Sequence, residues 1–191
     1  SIFIAGAGVQ WLRDRMKFFK KAPETEKIVK SLKDNNNIYL VPAFTGLGAP
    51  YWDANARGVL TGITRDTSPK EIVRATIEAV AYQTYDLFEA MKHDGLRPKI
   101  VKVDGGMVMN NWFSKFLSDI VNVKVLRPKV QETTALGAAF MAGLQIGVYK
   151  SLKDISKNWH LDKKFSPKMK NSIRNKLLKG WSATIKKTLS N

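Results

Sequence analysis

The chain has 191 residues and a formal charge of +16, from 32 Lys and Arg against 16 Asp and Glu. With 44% hydrophobic and 25% charged residues it has material for one buried core and is too apolar for a disordered chain. The lack of cysteine excludes a disulfide framework and a thiolate metal site, and two histidines, His93 and His160, argue against a zinc cluster.

Ser1 to Ile4 reads as the tail of a strand that begins without a cap, a turn or a start methionine, so the chain is expected to begin inside a larger fold. Ala5-Gly6-Ala7-Gly8 then leads into a helix with Val9, Leu12, Met16 and Phe19 at helical spacing. Glycines ahead of a helix suit a phosphate or nucleotide, and they equally suit close packing of a helix on a strand. Trp11 stands where the third glycine of a dinucleotide fingerprint belongs, which rejects a Rossmann reading. A short polar helix is predicted over 23–33 and a turn at Asp34-Asn35-Asn36-Asn37, followed by a buried strand over 38–41 closed by Pro42. Residues 42–53 hold too many glycines and prolines for a regular element and too many aromatics for a solvated loop, so they read as a packed loop.

A strand is predicted over 56–63, then a helix with Ser68 as N-cap, Pro69 in the first position and Glu71 completing a capping box. Val73, Ile77, Val80, Thr84, Leu87 and Met91 recur at steps of three and four as a buried stripe. His93, at the end of this helix, suits the C-terminal dipole better than catalysis.

Val101-Lys102-Val103-Asp104 reads as a strand that turns on Gly105 and Gly106 and enters a helix through Asn110 or Asn111. Such a corner lets a backbone approach a nucleotide closely, although Asp-Gly-Gly is also a good turn between core elements. The helix carries Trp112, Phe113, Phe116, Leu117 and Ile120 on one face, and a strand follows over 123–126, closed by Arg127-Pro128. Glu132-Thr133-Thr134 caps a helix of small residues over 135–143, whose glycines are expected to serve close packing. From Lys150 a connector containing Trp159 leads to a last amphipathic helix, with Ile173, Leu177, Trp181, Ile185 and Leu189 inward and lysines outward. Strands alternating with helices argue for an α/β layer architecture with a largely parallel sheet, and both glycine corners fall at the strand ends where such sheets bind nucleotides.

The positive charge would attract nucleic acid, anionic lipid or phosphorylated ligands non-specifically. The lysines are spread along helical faces, with no RNP-like aromatic strand and no helix-turn-helix spacing, so a solvated surface is expected, with no specific nucleic acid and no membrane partner. Apolar runs fall short of a membrane span and the start lacks a basic leader, which predicts a soluble, untargeted, cytoplasmic chain.

Gly58-x-Leu60-x-Gly62-Ile63, seven further residues, and Glu71-Ile72-x-x-Ala75-Thr76-Ile77-Glu78 fit the second signature of the FGGY carbohydrate kinases, and the chain resembles the C-terminal half of that family. Residues 42–53, 5–14 and 134–139 resemble the branch of the family that phosphorylates glycerol. The similarity runs to about Val148 and weakens in the lysine-rich tail, which is more basic than the segment through which a sugar-transport protein regulates some bacterial members. That regulation is therefore not carried over.

The resemblance implies an α/β, ribonuclease-H-like (actin-like) C-terminal lobe with a mixed sheet flanked by helices. Residues 1–191 would form a single nucleotide-binding domain, 151–191 its basic helical tail, with the N-terminal catalytic lobe absent. It places ATP or ADP on Gly6 and Gln10 from the first corner and on Gly106 and Asn110 from the second. Each amide stands four residues past its glycine, so both pairs can offer a backbone contact and a side-chain amide to one nucleotide. The implied reaction is transfer of the γ-phosphoryl group of Mg·ATP to glycerol, with the general base, the glycerol-gripping residues and the first phosphate loop in the absent lobe. No catalytic residue and no metal ligand is expected in this chain. Asp104 suits nucleotide positioning better than the role of base, and the isolated chain is expected to bind nucleotide weakly without turnover. A homo-oligomer is possible. Alternatives are the C-terminal half of another FGGY kinase acting on a pentulose or gluconate, a non-enzymatic split-gene remnant, or a basic module binding RNA or membranes.

Overall fold

The computed structural model describes residues 2–190. In chain order they form α1 (Gly6–Asp14), α2 (Glu24–Lys30), β1 (Tyr39–Val41), β2 (Val59–Thr61), α3 (Pro69–His93) and β3 (Ile100–Lys102). A 3-10 turn (Gly106–Met109), α4 (Asn111–Val121), β4 (Lys124–Pro128), α5 (Thr133–Gln145), α6 (Leu152–Ser156), β5 (Leu161–Phe165) and α7 (Asn171–Thr188) complete the chain.

Helix α3 is the spine, and the capping box starts it as the sequence requires. The Lys70 N–H donates to Ser68 Oγ at 3.3 Å, and the Ser68 N–H donates to Glu71 Oε2 at 3.0 Å. Its first half is enclosed: Val73, Ile77 and Val80 are buried, and Tyr82 stacks on Trp181 of α7 at 5.2 Å while meeting Phe116 of α4 edge-on at 5.7 Å. The expected stripe does not continue to the end of the helix. Thr84 and Leu87 are only partly covered and Met91 is 38% exposed, although α7 still reaches this half of the helix where Trp181 meets Asp86.

Two sheets flank these helices. β1 and β2 pair antiparallel; β3 and β4 pair parallel, with α4 as the crossover between them, and β4 and β5 pair antiparallel. The layer is therefore mixed, with one parallel pairing rather than a largely parallel sheet. β5 was expected to be connector: its sequence Leu-Asp-Lys-Lys-Phe buries Phe165 alone and has no apolar period to betray it.

Residues 2–4 form no strand, and Ser1 lies outside the described residues. The first helix stops at Asp14 because Lys17 takes a left-handed conformation (φ 58°), which turns the chain away. Met16 is consequently 41% exposed, while Phe19 is buried beyond the turn. In α7, Trp181 and Ile185 are buried as expected, but Ile173 is 50% exposed at the start of the helix. The most apolar helix, α5, buries none of its residues among those described, and a Cβ on Gly137 would meet nothing within 4 Å. Among the described residues its glycines thus do not serve packing on a neighbouring element; a Cβ on Gly143 would meet the Tyr149 ring and Val148, just beyond the end of the helix.

Candidate functional site

The two readings left open for the first corner divide between its glycines. Both lie inside the first turn of α1 rather than ahead of it. Gly8 is there for packing: a Cβ would come within 3.0 Å of Thr76 Cγ2 on α3, which lets Leu12 sink completely into the core. Gly6 faces open space, with nothing within 4 Å of a Cβ position. Ala5 provides no side-chain cap and the first turn holds no acidic residue, so the leading N–H groups of α1 lack a side-chain acceptor.

The second corner depends on Gly105, whose φ of 84° is a left-handed value that favours glycine, and it continues through the 3-10 turn at Gly106. Arg127 Nη1 donates to the Val108 carbonyl at 2.8 Å and Ser114 Oγ donates to the same oxygen at 2.9 Å, so the turn is held from beneath. Asn110 then caps α4, its Oδ1 accepting the Phe113 N–H at 3.0 Å. Of the side-chain amide expected to serve a ligand, the oxygen is therefore committed to the helix, leaving Nδ2 as the polar end.

Both corners open onto one cleft of about 340 Å³ whose lining includes Gly6, Gln10, Gly106 and Asn110. All four residues singled out in the sequence meet there. Gln10 is exposed one turn into α1, a Cβ on Gly106 would meet nothing within 4 Å, and Val9, Ile77 and Met107 supply apolar wall.

A third wall was not foreseen. Pro23, Thr25 and Glu26 close the cleft from α2 and the residue before it, with Asn110 Nδ2 donating to Thr25 Oγ1 at 3.4 Å and the Asn111 N–H donating to Glu26 Oε2 at 3.3 Å. These contacts span 85 residues of sequence, and in the sequence α2 looks like an ordinary polar surface helix. A hydrogen bond from Lys30, 2.5 Å away, holds the Glu26 carboxyl below the usual carboxylate range against the opposing effect of partial burial. Arg13 on the rim is bound to Asp14 at 2.7 Å. Asp104 is not on the cleft lining; it is exposed and accepts a hydrogen bond from Thr133 Oγ1 at the start of α5.

Comparison with known proteins agrees with this architecture. Residues 1–146 match the description "FGGY family of carbohydrate kinases, C-terminal domain". The chain is 54% identical over 190 residues to "Glycerol kinase 1" of Pseudomonas aeruginosa, covering 100% of this chain and 38% of that protein. It is 52% identical over 191 residues to "Glycerol kinase" of Ectopseudomonas mendocina, covering 100% of this chain and 39% of that one. The structure superimposes on the Plasmodium falciparum glycerol kinase crystallised with ADP with a TM-score of 0.88 and 35% identity, over 100% of this chain and 38% of the other. The chain thus spans under two fifths of the length of these relatives. On its sequence and its fold, the chain belongs to the FGGY family of carbohydrate kinases and corresponds to the C-terminal domain of that family.

Proposed function

We propose that this chain is the nucleotide-holding half of a kinase that transfers the γ-phosphoryl group of ATP to glycerol, giving glycerol 3-phosphate, and that residues 1–191 act as one nucleotide-binding domain with 151–191 as its basic tail. The observation that carries the reading is the convergence of Gly6, Gln10, Gly106 and Asn110 on a single cleft. The relatives named glycerol kinase and the ADP carried by the Plasmodium falciparum structure support it.

The cleft suits a nucleotide. Leading N–H groups of α1 without a side-chain cap can donate to phosphate or ribose oxygens, and Gly106 leaves room for close backbone approach. Gln10 and the Nδ2 of Asn110 add side-chain donors, while Val9, Ile77 and Met107 offer apolar surface to a base. Phosphoryl transfer asks chiefly for positioning and neutralisation of charge, and these residues do the positioning.

A magnesium ion accompanies ATP in such kinases, but the residues lining this cleft do not fit as its ligands. Glu26 is the single carboxylate on the cleft lining, and it is already engaged by Lys30 and the Asn111 N–H. Among the described residues no group of three or more His, Cys, Asp or Glu could hold a metal ion. For the same reason Glu26 is a poor general base, which supports a proton acceptor supplied from beyond residues 1–191.

Titration calorimetry with ADP, paired with an ADP-release assay in the presence of glycerol, tests the reading. ADP binding without glycerol-dependent turnover is expected. Failure to bind ADP overturns the nucleotide assignment, and turnover by the chain alone overturns the division of labour.

A further inference from the structure

Beyond the nucleotide cleft, at the C-terminal end of α2, lies a larger groove of about 940 Å³, bounded by the end of α2, the 34–37 turn, α4 and the start of α7. The second signature contributes only Arg74 to its lining, at a variable position, and the second glycine corner only Asn111. Six cationic side chains line it: Lys30, Lys33, Arg74, Lys115, Lys168 and Lys176. The carboxylates on its lining are Asp34 and Asp119. Asp119 is already occupied by Lys115 Nζ and by the N–H groups of Lys168 at 2.6 Å and Met169 at 3.0 Å. Asp34 accepts the Asn36 N–H at 2.9 Å. Lys33, Lys168 and Lys176 form no ion pair among the described residues.

The floor has the opposite character. Trp112 stacks on Phe116 at 5.0 Å, nearly parallel at 9°, and the Arg74 guanidinium sits 5.1 Å from the indole. Met169, Leu177 and the half-exposed Ile173 extend this apolar surface toward α7. Arg74 makes its hydrogen bonds through Nε to Glu78 and Nη1 to the Leu32 carbonyl, leaving Nη2 without a hydrogen bond among the described residues.

We propose that this groove is a binding site for a small amphiphilic anion, a compact anionic head joined to an apolar tail. The volume lies in the range of small-molecule sites rather than of flat docking surfaces. A hydrophilic anion alone would meet mostly solvent-screened lysines on the rim, where attraction is weak. A neutral apolar molecule would cover the floor and leave the crowded ammonium groups without a counter-charge. A ligand that carries both parts satisfies the rim and the floor together.

Octyl phosphate below its micelle concentration is a suitable probe, compared with inorganic phosphate and with octyl glucoside by calorimetry and by the indole N–H signals in two-dimensional NMR. Octyl phosphate is expected to bind at least tenfold more tightly than either control and to shift the Trp112 indole signal. The doubly substituted Ile173→Asp, Lys176→Glu chain is expected to lose at least tenfold in affinity with an unchanged circular dichroism spectrum. If that variant does not fold, Lys33→Glu provides the same reading on the opposite rim. Equal affinity for either control overturns the proposal, as do indole shifts that leave Trp112 unmoved, or association with anionic phospholipid vesicles without binding of monomeric octyl phosphate.

Discussion

The indole N–H of Trp181 donates to Oδ2 of Asp86 at 2.7 Å, fastening α7 to the middle of α3 across 95 residues of sequence. Burial pushes the Asp86 carboxyl up to about 6, and the hydrogen bonds from Trp181 and Tyr51 only partly oppose this. A carboxyl raised above its unfolded value of 3.8 favours the folded state while it is protonated. Its contribution is whole below pH 4 and is lost as pH rises to about 6, a change on the order of 3 kcal/mol. Asp86→Asn, which cannot ionise, should remove this component, so urea unfolding between pH 4 and pH 7 should fall less steeply for the variant than for the parent chain.

Glu78 of α3 is completely buried, with Arg74 Nε at 2.7 Å and the Tyr82 hydroxyl at 2.9 Å. Burial raises its carboxyl while Arg74 pulls it down. Removing one partner strands the other charge in the core, so Glu78→Leu should cost about 3–5 kcal/mol. The double change Arg74→Leu, Glu78→Leu should recover much of that loss, and a double-mutant cycle in urea gives the coupling directly. Losses that simply add would show that the pair is not a unit.

Gly180 of α7 rests on the Tyr39 ring so closely that a Cβ would lie 2.3 Å from Cζ. Gly180→Ala must push Tyr39 or α7 aside and should destabilise the chain by about 1–3 kcal/mol. Gly137→Ala, in a helix with room at that position, should be neutral or stabilise by up to about 1 kcal/mol. The thermal melt of Gly180→Ala should therefore fall while that of Gly137→Ala holds or rises.

Gly6 and Gly106 border the cleft without supporting the core, whereas Gly8 does the reverse. Gly106→Val should weaken ADP binding more than tenfold while leaving stability within about 0.5 kcal/mol of the parent. Gly8→Val should clash with Thr76 and lower stability. A Gly106→Val chain that binds ADP normally would remove this cleft from consideration.

What the sequence reveals here is mostly local. Ser68, Pro69 and Glu71 are contiguous, and their capping box appears in the structure as drawn from the sequence. The four residues of the two glycine corners are legible for the same reason, each pair lying within five positions. Thr25 and Glu26 carry no such local signal, because their partners at Asn110 and Asn111 are brought to them only by folding. β5 was missed because its pairing with β4 is backbone work done by a charged segment. The wrong expectation for α5 has another origin: small apolar residues report that a surface can be covered, not that this chain covers it.

That bare helix sets the conditions under which the molecule can be handled. A surplus of sixteen positive charges keeps copies apart in dilute buffer, but at physiological ionic strength the repulsion reaches only about 8 Å. Raising salt should thus drive self-association through α5 rather than relieve it, and Met141→Lys, at a position already 52% exposed, should restore monodispersity in light scattering.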